Sequence, residues 1–438
     1  MCNIGNGVDM KKNFILIIIM VFLSCLISAA ETVEKKFYVR GAFYQDWMGF
    51  KTGDSDFYNR FSSRLNMTLW NKPGDGPTLF VDVRDRYTAG DGGKNQLMLY
   101  DVRLAFDSMK SKIFFSLGQM NLYDTAGIGH LAGALAGYKL GKYLSVGAYG
   151  GFEPDIFNNK VETDYRKYGG FIRYIGKGAK QFSFSYNYLR YKGKNERQYI
   201  YASLLLPVSR SFILYGNVEY DLGALAKSSD RLAQLFLNSR ANITKYADVT
   251  LSYSSGRGLD YHEFLIEQSQ DPTIQNSDIE RFYYNETYGA RLALKPSKNL
   301  RVYISRQEST QKDLNIKNHT TGLGFSVNDL FKTGFSLYGN YNMNRGDSSE
   351  SDTYYISASK SFGKIYWNLS YANYFNGVRF TTNGTPVIVR ILLPDQQTVS
   401  TGLFFILNRT VSVSLDYSYI AQTGNNGHQI FIRLILRK

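Results

Sequence analysis

Six arginines and three aspartates of the N-terminal quarter sit at alternate positions along short stretches: Arg40 and Asp46, Arg60 and Arg64, Asp82, Arg84 and Arg86, Asp101 and Arg103. Alternation matters because side chains of an extended chain point to opposite faces with a period of two. In 77–88, Leu79, Val81 and Val83 take one face and Asp82, Arg84 and Arg86 the other. In 96–106 the same rule sets Met98, Tyr100, Val102 and Leu104 against Asp101 and Arg103. A wall of this kind has two chemistries open to it. An arginine-rich track across water lowers the barrier for anions. Cross-strand ion pairs, for example Arg84 with Asp101 or Arg103 with Asp82, would instead stiffen a wet wall. Arg173, Arg240, Arg291, Arg301 and Arg433 fall on the same face of later stretches.

Chemistry of other kinds finds no support. The segment after residue 30 has four histidines, His130, His262, His319 and His428. His262-Glu263 begins like a zinc-protease helix, but Ile266 occupies the second ligand position. Asp54-Ser55-Asp56 begins like a calcium loop, and Tyr58 stands where the next ligand belongs. There is no phosphate loop and no nucleophile elbow, so neither a catalytic residue, a metal nor a cofactor is expected.

The elements that carry these arginines are strands. The 438 residues include 35 Tyr, 29 Phe and 40 Gly but only 8 Pro, and 44% are hydrophobic. That excludes global disorder, and the mean hydropathy of −0.28 excludes a helical membrane bundle. After residue 30 one unit recurs without a linker: about ten residues of alternating polarity, a turn, and another ten. Residues 182–188 read Phe-Ser-Phe-Ser-Tyr-Asn-Tyr, and 411–417 read Val-Ser-Val-Ser-Leu-Asp-Tyr. Short turns at 71–76, 107–110, 140–142, 176–179, 207–210, 244–246, 296–299, 328–333, 363–364 and 408–409 alternate with longer polar segments such as 89–95, 153–165, 222–230, 257–280 and 376–396. Ten turns join twenty strands, and a first strand at 36–47 with a last at 428–437 makes 22. The expected fold is all-β, a single closed antiparallel transmembrane barrel of about 22 strands (18–24) over residues 31–438, with short periplasmic turns and longer extracellular loops.

Lys11-Lys12, the apolar run Phe14–Ile27 and Ser28-Ala29-Ala30 read as a signal peptide over residues 1–30, with Met10 a plausible true start. Both cysteines, Cys2 and Cys25, lie inside it. The net charge of +14 does not concentrate on one patch as nucleic-acid binding needs. Instead Lys or Arg marks nearly every short turn, as at Lys110, Lys142, Lys245 and Arg409, which suits a rim beside anionic headgroups.

An export signal, a cysteine-free mature chain, 22 amphipathic strands and alternating turns together resemble the Gram-negative outer-membrane porins. Ser116-Leu117-Gly118-Gln119, then Gly127-Ile128-Gly129-His130 and Ala132-Gly133-Ala134, are similar to a segment of the porin-like and alginate-export-like barrels. The resemblance implies an outer-membrane location, contact with lipid and lipopolysaccharide, and insertion by the barrel-assembly machinery. Two features depart from it. The chain ends Leu436-Arg437-Lys438 without the usual terminal aromatic. Twenty-two strands is also the count of plugged receptors, yet too few residues precede the first strand to form a plug.

The reading is a passive channel for small hydrophilic solutes with anion preference, not an enzyme. An exporter of an anionic polysaccharide and a closed structural barrel are the alternatives, and both a monomer and a homotrimer fit. The pore-lining candidates are Arg40, Arg60, Arg64, Asp82, Arg84, Arg86, Asp101, Arg103, Arg240 and Arg291. A round barrel of this size would be roughly 45 Å across and needs a constriction. The acidic segment 257–280, with Asp260, Glu263, Glu267 and Asp271, is expected to supply it by folding inward.

Overall fold

The computed structural model describes residues 38–438 apart from 54–56, 71–75, 90–93, 124, 156–159, 223–230, 258–283, 313–314, 348, 379, 383–384, 388–392 and 423–424. The signal-peptide expectation for residues 1–30 and the candidates Asp260, Glu263, Glu267 and Asp271 therefore lie outside the described residues.

The strands are β1 (Tyr38–Thr52), β2 (Tyr58–Trp70), β3 (Pro77–Ala89), β4 (Lys94–Phe106), β5 (Ile113–Asn121), β6 (His130–Lys139), β7 (Leu144–Pro154) and β8 (Val161–Ile175). They continue with β9 (Gln181–Tyr191), β10 (Lys194–Pro207), β11 (Phe212–Asp221), β12 (Leu232–Thr244), β13 (Ala247–Arg257), β14 (Tyr284–Leu294), β15 (Leu300–Gln311) and β16 (Ile316–Leu330). The last are β17 (Phe335–Gly346), β18 (Ser349–Phe362), β19 (Ile365–Val378), β20 (Phe380–Thr382), β21 (Thr385–Val387), β22 (Leu393–Ile406), β23 (Val411–Gln422) and β24 (Gly427–Arg437). β20 and β21 form a small separate hairpin, and the other 22 strands make one sheet in which each pairs antiparallel with its chain neighbours. The sheet closes because β24 pairs with β1, from Ala42 opposite Arg437 to Thr52 opposite Gly427. Closure leaves no edge strand, which is what allows a sheet to stand in lipid.

The two faces follow from the alternation. In β9, Ser183, Ser185 and Asn187 are buried on the inner face, while Phe182 and Tyr186 are exposed on the outer one. Leu117, Leu251, Ile304 and Leu323 are each about half exposed, at 50, 52, 49 and 49%. A water-soluble protein does not leave a continuous apolar belt of this kind open. Its outward aromatic residues pair across strands near the long-loop end, as in Tyr168 with Tyr188 (4.9 Å), Tyr253 with Tyr288 (4.9 Å) and Tyr341 with Tyr354 (4.7 Å). On β8, Tyr174 marks the other end, six residues or roughly 20 Å of strand from Tyr168. Two aromatic rings bounding an apolar band are the outer surface of a membrane-spanning barrel.

One expected side assignment is corrected. Met98 and Tyr100 face the lumen, not lipid. The register between β3 and β4 shifts between Asp82 and Val83, so that Asp82 opposes Asp101 and Val83 opposes Leu99. Tyr100 is the extra residue of a β-bulge. A bulge breaks the strict period of two, placing Leu97 and Leu99 outward and Met98 inward. Met98 is 3% exposed and Leu97 58%.

Candidate functional site

The lumen wall of β1–β4 and β24 is the basic region. Register places Arg40, Asp46, Arg60, Arg64, Asp82, Arg84, Arg86, Asp101 and Arg103 on one face, together with Arg433. Arg64 forks onto Asp82 through Nε at 2.8 Å and a terminal nitrogen at 2.6 Å. Arg103 lies 3.2 Å from Asp101 and over the Phe80 ring at 4.5 Å. Arg433 reaches Asp46 at 2.7 and 3.0 Å across the closing seam. Neither cross-strand pair expected from the sequence forms; the carboxylates are taken by Arg64, Arg103 and Arg433 instead.

The remaining arginines contact neutral groups. Arg84 donates to the Ser62 hydroxyl at 3.2 Å, Arg86 donates to the Gln96 side-chain oxygen, and Arg60 approaches the Met48 sulfur at 3.4 Å. Arg84 also stands directly opposite Arg64. Two like charges side by side are unfavourable unless water or an anion separates them. The seven arginines named here outnumber their three aspartates by four.

The other two candidates lie elsewhere on the inner face. Arg240 is 3.5 Å from Asp248, which also meets Lys295 at 3.3 Å and Arg301 at 3.1 Å. Arg291 stacks over the Tyr303 ring at 3.8 Å. These two belong to separate clusters and do not join the β1–β4 wall. The wall of β7–β11 is nearly neutral by contrast. Lys167, Arg173 and Arg197 share it with Glu153, Glu219 and Asp221. Lys167 pairs with Glu153 at 2.8 Å, and Arg197 with Asp221 at 2.8 Å and with Glu219.

Against that neutral side lies an element that sequence reasoning missed. The described residues of the β5–β6 connection, 122–123 and 125–129, fold into the barrel. Leu122, Ala126 and Ile128 are 3, 1 and 0% exposed and join Phe114, Met120, Leu131, Leu135, Tyr149 and Phe171 in one apolar cluster. The Ser185 hydroxyl of β9 donates to the Ala126 carbonyl at 2.7 Å. Leu122 donates to the Gly129 carbonyl at 2.8 Å, which closes the base of the segment. Three of its residues, Ala126, Gly127 and Gly129, have φ of 54, 63 and 77°. Gly127 also rests on the Tyr201 ring, where a Cβ would come within 2.6 Å.

The wall beneath is thinned to receive it. Phe114, Phe171 and Tyr149 lie across Gly137, Gly147 and Gly169, and a Cβ there would meet the ring or hydroxyl at 2.2, 2.6 and 2.6 Å. The available signal was local: buried-type residues Leu122 and Ile128 inside a connection containing Gly127 and Gly129. A connection meant for water does not carry them.

No family model matches the chain, and no curated protein matches it. Among solved structures, the chain is similar to the outer membrane protein OpdK of Pseudomonas aeruginosa, at 8% identity and a TM-score of 0.44, over 92% of this chain and 99% of that one. It is similar to OccAB4 of Acinetobacter baumannii at 9% identity and 0.44, over 92% and 98%. It is also similar to OccK8 (OprE) of P. aeruginosa at 9% and 0.41, over 91% and 98%. Independently of these, a closed antiparallel barrel of 22 strands with an apolar outer belt is the architecture of a bacterial outer-membrane protein.

Proposed function

We propose that the chain is a water-filled outer-membrane channel for small hydrophilic solutes, and that it favours anions. The observation that carries this reading is the uncompensated wall: Arg40, Arg60, Arg84 and Arg86 share the inner face of β1–β3 and pair with no carboxylate among the described residues. Structural arginines would be matched, as Arg64, Arg103 and Arg433 are. Unmatched ones hold a positive potential in the lumen, which concentrates anions and repels cations.

With 257–280 outside the described residues, the constricting element in this reading is the segment 122–129. It occupies lumen on the neutral side, so solutes are pressed toward the arginines. Polar solutes also find hydroxyls and amides along the wall, such as Ser183 with Ser203 at 2.6 Å and Ser400 with Ser418 at 2.8 Å. The polysaccharide exporter gains no specific observation.

The test is conductance and reversal potential of the purified protein in planar bilayers under a salt gradient. A pore that passes chloride over potassium supports the reading. Absence of conductance would hand the barrel a structural role.

A further inference from the structure

On the outer surface, β8 and β9 place two arginines side by side. Arg166 pairs directly with Arg190, one row beyond Tyr168 opposite Tyr188. The period of two puts both arginines on the face of those outward tyrosines, whereas Lys167 and Asn187 face the lumen and are buried. The pair therefore stands just beyond the aromatic ring at the long-loop end, where a bilayer carries its headgroups.

No direct ion pair neutralises it. Among the described residues neither arginine forms an ion pair. Arg190 donates to the Gly193 carbonyl, and its Nε is buried without a hydrogen-bond partner. The same level elsewhere on the barrel is treated differently. Beside the Tyr253–Tyr288 pair, Lys312 meets Glu286 at 2.7 Å, and beside Tyr341–Tyr354, Arg345 meets Asp352 at 2.9 Å. Asp164 and Glu162 lie on the same face of β8 but farther out, two and four residues beyond Arg166.

Directly opposed like charges destabilise a strand pair unless something anionic stands between them. Two guanidiniums in register present a double fork, the geometry that grips a phosphate. Beneath them the outer face is low. Gly150 and Gly170 leave space where side chains would stand, and Ala132, Ala134, Ala136 and Ala148 surround them. Acyl chains hanging from a bound headgroup can lie flat there.

We propose that Arg166 and Arg190 bind a phosphate of the outer-leaflet glycolipid, lipopolysaccharide, with Tyr168 and Tyr188 supporting its sugar–acyl junction. This rests on the outer-membrane reading, not on the channel's selectivity, and the two fail separately.

The experiment uses the full-length protein purified in detergent. Binding of lipopolysaccharide, of the same lipid after enzymatic dephosphorylation, and of phosphatidylglycerol is measured by native mass spectrometry and by the shift in thermal unfolding. The wild type should retain the phosphorylated glycolipid and gain thermal stability from it. Arg166→Gln with Arg190→Gln should weaken that retention by about tenfold, as expected for loss of charge-assisted bonds, without changing conductance. Arg345→Gln, which removes a cation already paired at the same level, should retain the lipid. The Arg166→Lys, Arg190→Lys protein guards against misfolding: it keeps the charge without the fork and should bind at an intermediate level. Equal retention by wild type and the double glutamine variant would overturn the proposal. So would equal retention of the dephosphorylated lipid, or a preference for phosphatidylglycerol.

Discussion

Replacing Arg84 and Arg86 by Gln removes two lumen charges that have no carboxylate to leave behind. Both hydrogen bonds, to Ser62 and Gln96, are to neutral groups, so the wall should stay folded. An anion passing about 8 Å from one guanidinium in water gains roughly 0.5 kcal/mol. Screening at 0.1 M salt reduces this to about 0.2 kcal/mol, because the Debye length is about 10 Å. Two arginines then favour an anion by about 0.5 kcal/mol and disfavour a cation by as much, a total near 0.9 kcal/mol. That corresponds to about a fivefold fall in the anion-to-cation permeability ratio of the variant at 0.1 M. At 1 M the Debye length is about 3 Å and the same sum gives a change of only about 1.3-fold. Reversal potentials across a salt gradient, taken at both ionic strengths, read the ratio directly. A ratio unchanged at 0.1 M would refute the uncompensated wall as the source of selectivity. A change of equal size at both salts would point to altered pore shape instead.

Other outcomes follow from contacts already described. Arg64→Gln strips Asp82 of its fork and leaves a part-buried carboxylate, so it should cost about 1–3 kcal/mol of stability, read as a lower heat-dissociation temperature on gels. Gly137→Val meets the Phe114 ring at 2.2 Å and the Val146 carbonyl at 2.6 Å, and should destabilise by about 1–3 kcal/mol or more, checked by the same assay. Replacing 122–129 by a two-residue turn should raise single-channel conductance severalfold, and an unchanged conductance would mean that the segment does not constrict the pore. An epitope inserted at 346–349 should be reached by antibody on intact cells, and one at 208–210 should not; the reverse pattern would invert the barrel in the membrane.

Period-two alternation was enough to read the architecture because a membrane barrel applies one rule to every strand: apolar outward, polar inward. Phe182, Ser183, Phe184 and Ser185 obey it, and so do Leu79 and Arg84. The rule fails where a local event inserts a residue. Tyr100 shows this: nothing in Leu99-Tyr100-Asp101 distinguishes a bulge from a regular strand, so Met98 is assigned to the wrong side. Ion pairing is less legible still. Asp82 could meet Arg103 or Arg64, and the choice depends on where each guanidinium lies once the strands are tilted and staggered, which no single strand encodes. The folded-in segment escaped notice for a different reason. Its charge is low and its length short, whereas the acidic 257–280 attracts attention by both. Burial of Leu122 and Ile128 depends on the glycine-thinned wall of β6–β8, brought beneath them only by the assembled sheet.

The seam between β1 and β24 has a consequence for how the molecule comes into being. Asp46 and Arg433, which join there, are 387 positions apart in the chain. Until that junction forms, both outer strands present open rows of amide and carbonyl groups that could recruit any other strand. Hairpins elsewhere zip locally and quickly, but this last pairing must wait for nearly the whole polypeptide. The Arg433–Asp46 bond and the reciprocal backbone bonds of Gly41 with Lys438, both 3.0 Å, thus act on timing as well as on strength. A weakened seam should cost the finished barrel about as much as losing the Arg64–Asp82 fork, and should also lengthen the interval in which the unfinished one is exposed to proteases and to aggregation.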